Sequence, residues 1–315
     1  MKLLSVLILF IGLKGLAAQV YLDVHIHDQG NMDSQLSENR ILNLMNQESG
    51  FNHAFVLSHS YNLPMPDGKD QPKYAKAAFV DMLHTSQLVS KYPKYLSGLC
   101  GIRLEWQSLT EMTEKCFNLP NMIGLKIRYA RGEKGISSYS KPLELILTKY
   151  SEKIRIILLH LPTGFKKQES NSLEARKVVN QEIETLVHVA QKHKNTIFVV
   201  AHSGNNPNTV IALSKFKMKN IFVEVSGVAG SVFNNTDKDF QYSDFINSWK
   251  TLGVDQVLFG SDIEAEDNLE FASRIFKGEV DSIISNSLLT ENEKNIILIE
   301  NGKKILKFAR PDLFD

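Results

Sequence analysis

The 315-residue sequence predicts an α/β fold, a single-domain (β/α)8 TIM barrel behind an N-terminal signal peptide. Three observations lead there. Short apolar runs of strand character alternate with stretches of helical periodicity, the pattern of a parallel sheet buried on both faces. Eight such runs end near residues 27, 59, 103, 128, 160, 202, 226 and 262, a spacing of roughly 34 residues that suits one strand-plus-helix unit. Several of those runs close on a histidine or an aspartate, and in such barrels the chemistry sits at the carboxyl ends of the strands. The alternative is a doubly wound open sheet. It lacks support, because no Gly-x-Gly-x-x-Gly follows the first strand.

Residues 1–18 read as a secretory signal peptide. Lys2 supplies a positive start, residues 3–13 are apolar apart from Ser5 and Gly12, and Gly15-Leu16-Ala17-Ala18 offers small residues for cleavage. Lys14 interrupts a run already too short for a comfortable span; a retained anchor is the other reading. No second long apolar segment follows. Residues 19–315 therefore form the mature domain, soluble in the periplasm or secreted, with no membrane contact after processing. Lys+Arg 36 against Asp+Glu 35 leaves a net charge of +1, which argues against nucleic acid as a partner. Cys100 and Cys116 fall in a strand and in the helix after it. Buried free thiols are expected, with one bridge between neighbouring elements as the alternative. Oligomeric state is not legible.

The elements follow in order. The first strand covers 21–27, Tyr-Leu-Asp-Val-His-Ile-His, and simple alternation puts Asp23, His25 and His27 on one face and Val24 and Ile26 on the other. A polar loop leads to a helix through Ile41, Leu42, Leu44 and Met45. The second strand, 53–59, ends at His59 before a turn-rich stretch, 61–71, long enough to act as a lid. Helix 75–91, strand 95–103, helix 108–117 and strand 121–128 come next, then a basic loop over 129–140. Pro142 opens a short helix, where proline is tolerated. Strand 154–160 precedes a helix to Lys192, with Asn171 and Glu174 at capping-box spacing. Strand 196–202, helix 207–215, strand 221–226, helix 244–252 and strand 256–262 follow. Helices over 269–276 and 290–308 close the chain, and Thr290 and Glu293 form a second capping box.

Two imidazoles spaced two apart on a strand, His25 and His27, can reach one cation, and neutral imidazole is a common metal donor. His160, His202 and Asp262 end later strands at the same mouth. His53 begins its strand and so lies at the other end; His84, His188 and His193 fall in or next to helices as ordinary solvated or capping residues. Arg103 and Arg128 end the third and fourth strands. A planar guanidinium suits a carboxylate, so they hint at a carboxylated small-molecule substrate, with a structural salt bridge as the alternative.

The strings Asp-Val-His-Ile-His, Leu-Leu-His-Leu, Val-Ala-His-Ser-Gly, Phe-Gly-Ser-Asp and the closing Glu300-Asn301-Gly302-Lys303-Lys304 resemble, in order and over nearly the whole mature chain, the amidohydrolase-related branch of the amidohydrolase superfamily. The resemblance implies a zinc or other divalent metal ion held by His25, His27, His160 and Asp262. It casts Asp262 also as a proton carrier, and His202 as a catalytic group or a ligand of a second metal. Lys126 would share that second metal if carboxylated; otherwise it reaches substrate or pairs with an acid. The fourth strand, Gly124-Leu125-Lys126-Ile127-Arg128, lacks the glutamate of related metal-dependent deoxyribonucleases, which favours one metal and disfavours DNA cleavage.

A divalent cation can acidify water and polarise a carbonyl. The expectation is therefore an exported metal-dependent hydrolase of a small amide, ester or lactone, with Asp262 and His202 moving protons and His59, Arg103 and Arg128 meeting substrate. A non-oxidative decarboxylase on the same scaffold and a non-catalytic binding barrel are the alternatives.

Overall fold

The computed structural model describes residues 20–28, 34–45, 50–60, 71–128, 135–164, 169, 171–228, 240–264 and 269–314. The expected signal peptide, nearly all of the expected lid, and residues 129–134 of the basic loop lie outside them. The strands are β1 (Val20–Asp28), β2 (Phe51–Ser58), β3 (Leu96–Ile102), β4 (Met122–Ile127), β5 (Ile156–Leu159), β6 (Ile197–Val200), β7 (Ile221–Glu224) and β8 (Val257–Leu258). All pair in parallel and in sequence order. The ring is closed by the chain after β8: Val24 N donates to Phe259 O, Asp262 N to His25 O and His27 N to Ile263 O, at 3.1, 2.8 and 2.8 Å. The structure is the predicted eight-stranded barrel.

The helices between the strands are α1 (Ser34–Met45), α2 (Gln71–Lys91), α3 (Leu109–Phe117), α4 (Ser140–Lys149), α5 (Leu173–Lys192), α6 (Pro207–Ser214) and α7 (Tyr242–Leu252). After β8 come α8 (Leu269–Ile284), α9 (Glu291–Asn295), a π turn over Ile296–Glu300 and α10 (Asn301–Ala309). Thr290 and Glu293 form the expected capping box. The cap of α5 is Ser172, one residue beyond the expected Asn171: its side chain accepts from Ala175 N at 3.1 Å. Helix α8 runs eight residues past the expected end at 276, because Glu279, Val280 and Ile283 bury another two turns.

Two apolar layers hold the barrel. One lies between strands and helices; the other fills the lumen with Leu22, Val24, Phe55, Leu57, Leu158, Val199, Phe222 and Leu258, among others. Ile305, Leu306 and Ala309 of α10 join the second layer, so this helix plugs the amino-terminal end. The closing motif shows why. Asn301 Nδ2 donates to Val254 O and Val257 O at 2.8 and 2.7 Å, pinning the entry of β8. A Cβ on Gly302 would lie 2.9 Å from Leu22 Cβ and 3.1 Å from Leu22 N, so only glycine lets α10 touch β1 this closely.

Two expectations are corrected. Cys100 on β3 and Cys116 on α3 form a disulfide rather than two free thiols. Parallel β/α packing brings a strand against the helix that follows it, and the two Cα atoms stand 6.2 Å apart, within bridging range. A loop of this size contributes about 3 kcal/mol in the chain-entropy account. The second correction concerns β1, whose faces do not alternate simply. Asp23 pairs with Ala54 but Ile26 pairs with Val56, so β1 carries one extra residue, a β-bulge. Leu22 and Val24 belong to the lumen layer while Ile26 packs toward the helices. Without the bulge the face that starts at Leu22 and Val24 would continue to Ile26 and turn both histidines away from the lumen.

Candidate metal centre

The bulge delivers His25 and His27 to the carboxyl end of the barrel, where their Nε2 atoms lie 3.0 Å apart. Asp262 Oδ1 is 3.0 Å from each. Lys126 Nζ, from β4, is 3.0 Å from His25 Nε2. His25, His27 and Lys126 are buried, while the Asp262 side chain keeps 26% exposure and is the open side of the group. Among the described residues, two groups have ligand atoms close enough to hold one ion: His25, His27 and Asp262, and His25, His202 and Glu224.

Glu224 was not among the expected site residues. Wholly buried at the end of β7, it accepts from His25 Nδ1 at 3.0 Å and from His202 N at 2.6 Å through Oε1. Burial alone would raise its carboxyl; the hydrogen bond from His25, the neighbouring imidazoles and the His202 amide instead bring it down to about 2. The signal that could have found it is an acid inside the otherwise apolar run Ile221-Phe222-Val223-Glu224-Val225. Gly260 makes room for it: a Cβ there would meet Glu224 Oε2 at 2.6 Å.

His202 and Asp262 both lie past the hydrogen-bonded ends of their strands, which are shorter than the sequence suggests. Each holds a left-handed backbone, with φ of 53° and 55°. Ser203 and Asn205 do the same, at 49° and 52°. Such residues cost about 1–3 kcal/mol each and persist only when their surroundings hold them. Here Trp249 Nε1 donates to Ser203 Oγ at 2.9 Å and Ser203 Oγ to Glu224 O at 3.0 Å. Thr163 Oγ1 donates to Gly204 O at 2.8 Å, and Asn206 Nδ2 to Thr163 O at 3.1 Å. The turn at Asp262 is tied to β1 by Asp23, whose Oδ1 accepts from His25 N and Ser261 N at 3.0 and 3.1 Å. Asp23 is thus a strap beneath the site, and burial pushes its carboxyl up to about 7.

The remaining expected residues surround this cluster. His160 stands beside His202, ring centroids 5.1 Å apart, outside both candidate ligand groups. His59 packs on His27 at 4.5 Å. Arg103 Nη1 lies 3.7 Å from Glu105 Oε1, the salt-bridge alternative. Arg128 follows β4 at the same mouth, and its charge is felt at His59, Lys126 and His160. His53 sits at the opposite end, as expected, and His188 and His193 are distant. His84 differs: its Nδ1 bonds Asp28 Oδ2 at 2.8 Å, which fastens α2 to the end of β1.

Burial drives the imidazoles of His25, His27, His59 and His160 toward the neutral form. Burial and the nearby Lys126 charge push His25 down to about 3 against the pull of Asp262 and Glu224. Burial also lowers His27 and His160, takes His59 to about 2, and lowers the Lys126 ammonium to about 8. Asp262 is held well below the carboxylate range because the imidazoles around it outweigh its burial. The consequence is geometric. With its Nδ1–H committed to Glu224, a neutral His25 turns its Nε2 lone pair to a point where Lys126 Nζ and Asp262 Oδ1 each lie 3.0 Å away, a position that suits a cation.

No protein-family model matches the sequence, and no curated protein matches it. Solved structures do. A 2,6-dihydroxybenzoate decarboxylase complexed with 2,6-dihydroxybenzoate is 14% identical, with a TM-score of 0.59 over 91% of this chain and 98% of the other. An uncharacterised TIM-barrel protein from Bordetella bronchiseptica is 10% identical, with 0.55 over 92% and 99%. The dihydroorotase of Saccharomyces cerevisiae, in complex with 5-fluoroorotic acid, is 13% identical, with 0.54 over 92% and 84%. At such identities the likeness is one of fold: the chain is a TIM barrel of the kind these proteins share.

Proposed function

We propose that the chain is a metal-dependent enzyme of the amidohydrolase superfamily, an exported hydrolase of a small amide, ester or lactone. The observation that carries this reading is the convergence of His25 Nε2, His27 Nε2 and Asp262 Oδ1 within 3.0 Å while His25 Nδ1 is taken by Glu224. Two imidazole nitrogens and a carboxylate oxygen suit zinc or a similar divalent ion. His160 would complete the set from β5. When bound, the ion would acidify water and polarise a carbonyl.

The chain's own residues supply the rest. Asp262 offers Oδ1 to the cluster and turns Oδ2 toward His202 Nε2, 4.0 Å away. That places a carboxylate and an imidazole side by side, so that a proton taken up at Asp262 Oδ2 can pass to His202 Nε2 and from there to a leaving group. Lys126 Nζ, beside His25 Nε2, fills the wall of β4 and favours a single ion. At the rim, His59, Arg103 and Arg128 would meet substrate. Either guanidinium would suit a carboxylated one. The Cys100–Cys116 bridge supports an oxidising compartment, and no helix among the described residues is long and apolar enough to cross a membrane.

A second reading, non-oxidative decarboxylation, is favoured by the adjacent pair His160 and His202, either of which can deliver a proton to a carbanion. The test is a panel of esters, lactones, amides and aromatic carboxylates in 18O-labelled water, with and without chelator. Hydrolysis places label in the product carboxyl group; decarboxylation releases carbon dioxide and leaves the other product unlabelled. Turnover untouched by removal of bound metal would overturn both readings.

A further inference from the structure

Glu224 bonds more than one partner, and those bonds have a direction. Four donors reach it: His25 Nδ1 at 3.0 Å, His202 N at 2.6 Å, Ser226 N at 2.5 Å and Ser226 Oγ at 2.8 Å. An ionised carboxylate only accepts, so Ser226 must spend its single hydroxyl proton on Glu224. Ser226 Oγ can then only accept from His202 Nδ1, 2.9 Å away, and Ser226 O accepts from the same nitrogen at 3.2 Å. His202 therefore carries its proton on Nδ1 and presents the Nε2 lone pair toward Asp262 and the mouth.

We propose that Glu224 sets the tautomers of two histidines with different tasks: His25 directly, for holding the ion, and His202 through Ser226, for moving a proton. Glu224 is a positioning residue on both routes. The consequence for ion binding rests on the metal-dependent reading; the tautomers themselves do not. The two routes are separable by distance: Ser226 Oγ lies 2.9 Å from His202 Nδ1 but 3.4 Å from His25 Nδ1, whose nearer partner is Glu224 at 3.0 Å. Glu224→Gln brings an amide N–H to face donors, so the Ser226 hydroxyl is released and can donate to His202 Nδ1, favouring the Nε2–H form. Ser226→Ala removes the hydroxyl acceptor at His202 and leaves the bond from His25 to Glu224 in place.

The experiment is imidazole 15N–1H correlation spectroscopy on the metal-free mature chain, paired with zinc affinity measured by chelator competition. The wild type should show His25 and His202 both protonated on Nδ1. Ser226→Ala should raise the Nε2–H share of His202, leave His25 unchanged, and keep zinc affinity within about twofold. Glu224→Gln should change both histidines and weaken zinc binding roughly 10–100-fold, the usual effect of removing a partner that orients a ligand. An Nε2–H form of either histidine in the wild type overturns the proposal. So does equal loss of zinc affinity in the two variants, or an unchanged His202 in Ser226→Ala. If Glu224→Gln does not fold, the wild type and Ser226→Ala still decide it. A wild type that binds no zinc defeats the metal reading, while its tautomers continue to test Glu224.

Discussion

The two ends of the barrel use the same residue types to opposite purpose. At the floor, Arg310 Nη1 donates to Ser97 Oγ at 2.9 Å, Ser97 lies 3.0 Å from His53 Nε2, and His53 Nδ1 lies 3.2 Å from Lys94 O. Asp312 takes the rest of the guanidinium at 2.8 and 2.7 Å. The chain of bonds runs unbroken from Asp312 through Arg310, Ser97 and His53 to the Lys94 carbonyl. At the mouth, His25 Nε2, His27 Nε2 and Asp262 Oδ1 converge on one point, 3.0 Å from one another. The floor groups are strung out in a chain of hydrogen bonds, whereas the mouth groups bring two imidazoles and a carboxylate to one point, the donor set of a metal ligand group. A cavity of about 520 Å³ opens at the floor beside Tyr21, His53, Tyr92 and Phe314. Donor chemistry, rather than space, marks the mouth.

The largest break in the comparison comes from Asp262→Asn. The amide oxygen can still donate to a cation but cannot hold a proton at neutral pH, so turnover should fall roughly 10²–10⁴-fold with little change in melting temperature. His160→Asn should chiefly weaken ion binding, and excess zinc should restore part of its activity. Full rescue of Asp262→Asn by zinc would reduce Asp262 to a ligand and shift attention to His202.

Acid should separate the ends next. Burial, the largest effect on His53, and the Arg310 charge push its imidazole from 6.5 down to about 4. The unfolded chain therefore takes up the proton first. The stability this gives is complete above about pH 6.5, is lost as pH falls toward 4, and is on the order of 3 kcal/mol. Denaturant midpoints across pH 4–7 should be less steep in His53→Gln by up to one proton, with zinc affinity at pH 7.5 unaltered. An unchanged slope would remove His53 from the account.

Arg310→Met should cost about 1–3 kcal/mol through the lost floor hydrogen bonds and leave metal content at the wild-type level. The smallest effects come from a matched pair of glycines. Gly260→Ala crowds Glu224 and should weaken zinc binding a few-fold at nearly constant stability. Gly302→Ala crowds Leu22 and should lower the melting temperature at constant zinc affinity. Exchanged outcomes would mean that the two ends are not independent.

Much of this was legible in the sequence, for a physical reason. A buried parallel strand is apolar, so a histidine or aspartate closing such a run stands out, as His25, His27, His160, His202 and Asp262 do. The closing Asn301-Gly302 was visible as a motif, and the structure supplies its cause. The bulge was not legible, because register is a property of the pair of strands, and β1 alone does not reveal that Ala54 and Val56 face residues three apart. Glu224 escaped because it stops short of the expected strand end at 226, and its partners lie 199 and 22 residues away. The disulfide joins positions 16 apart across a strand–helix unit, a spacing that buried free thiols fit equally well. The left-handed turns at His202 and Asp262 ended β6 and β8 early for the same reason: long-range bonds to Trp249, Thr163 and Asp23 hold them there.

The central claim is that the mouth holds a divalent ion and the floor does not. Its most direct test is equilibrium dialysis of the purified mature chain against zinc, followed by elemental analysis, for wild type, His27→Ala and His53→Gln. About one equivalent should remain with the wild type and with His53→Gln, and His27→Ala should lose it. A wild type that retains no zinc or other divalent ion after reconstitution, or a His27→Ala variant that retains as much as the wild type, would contradict the account.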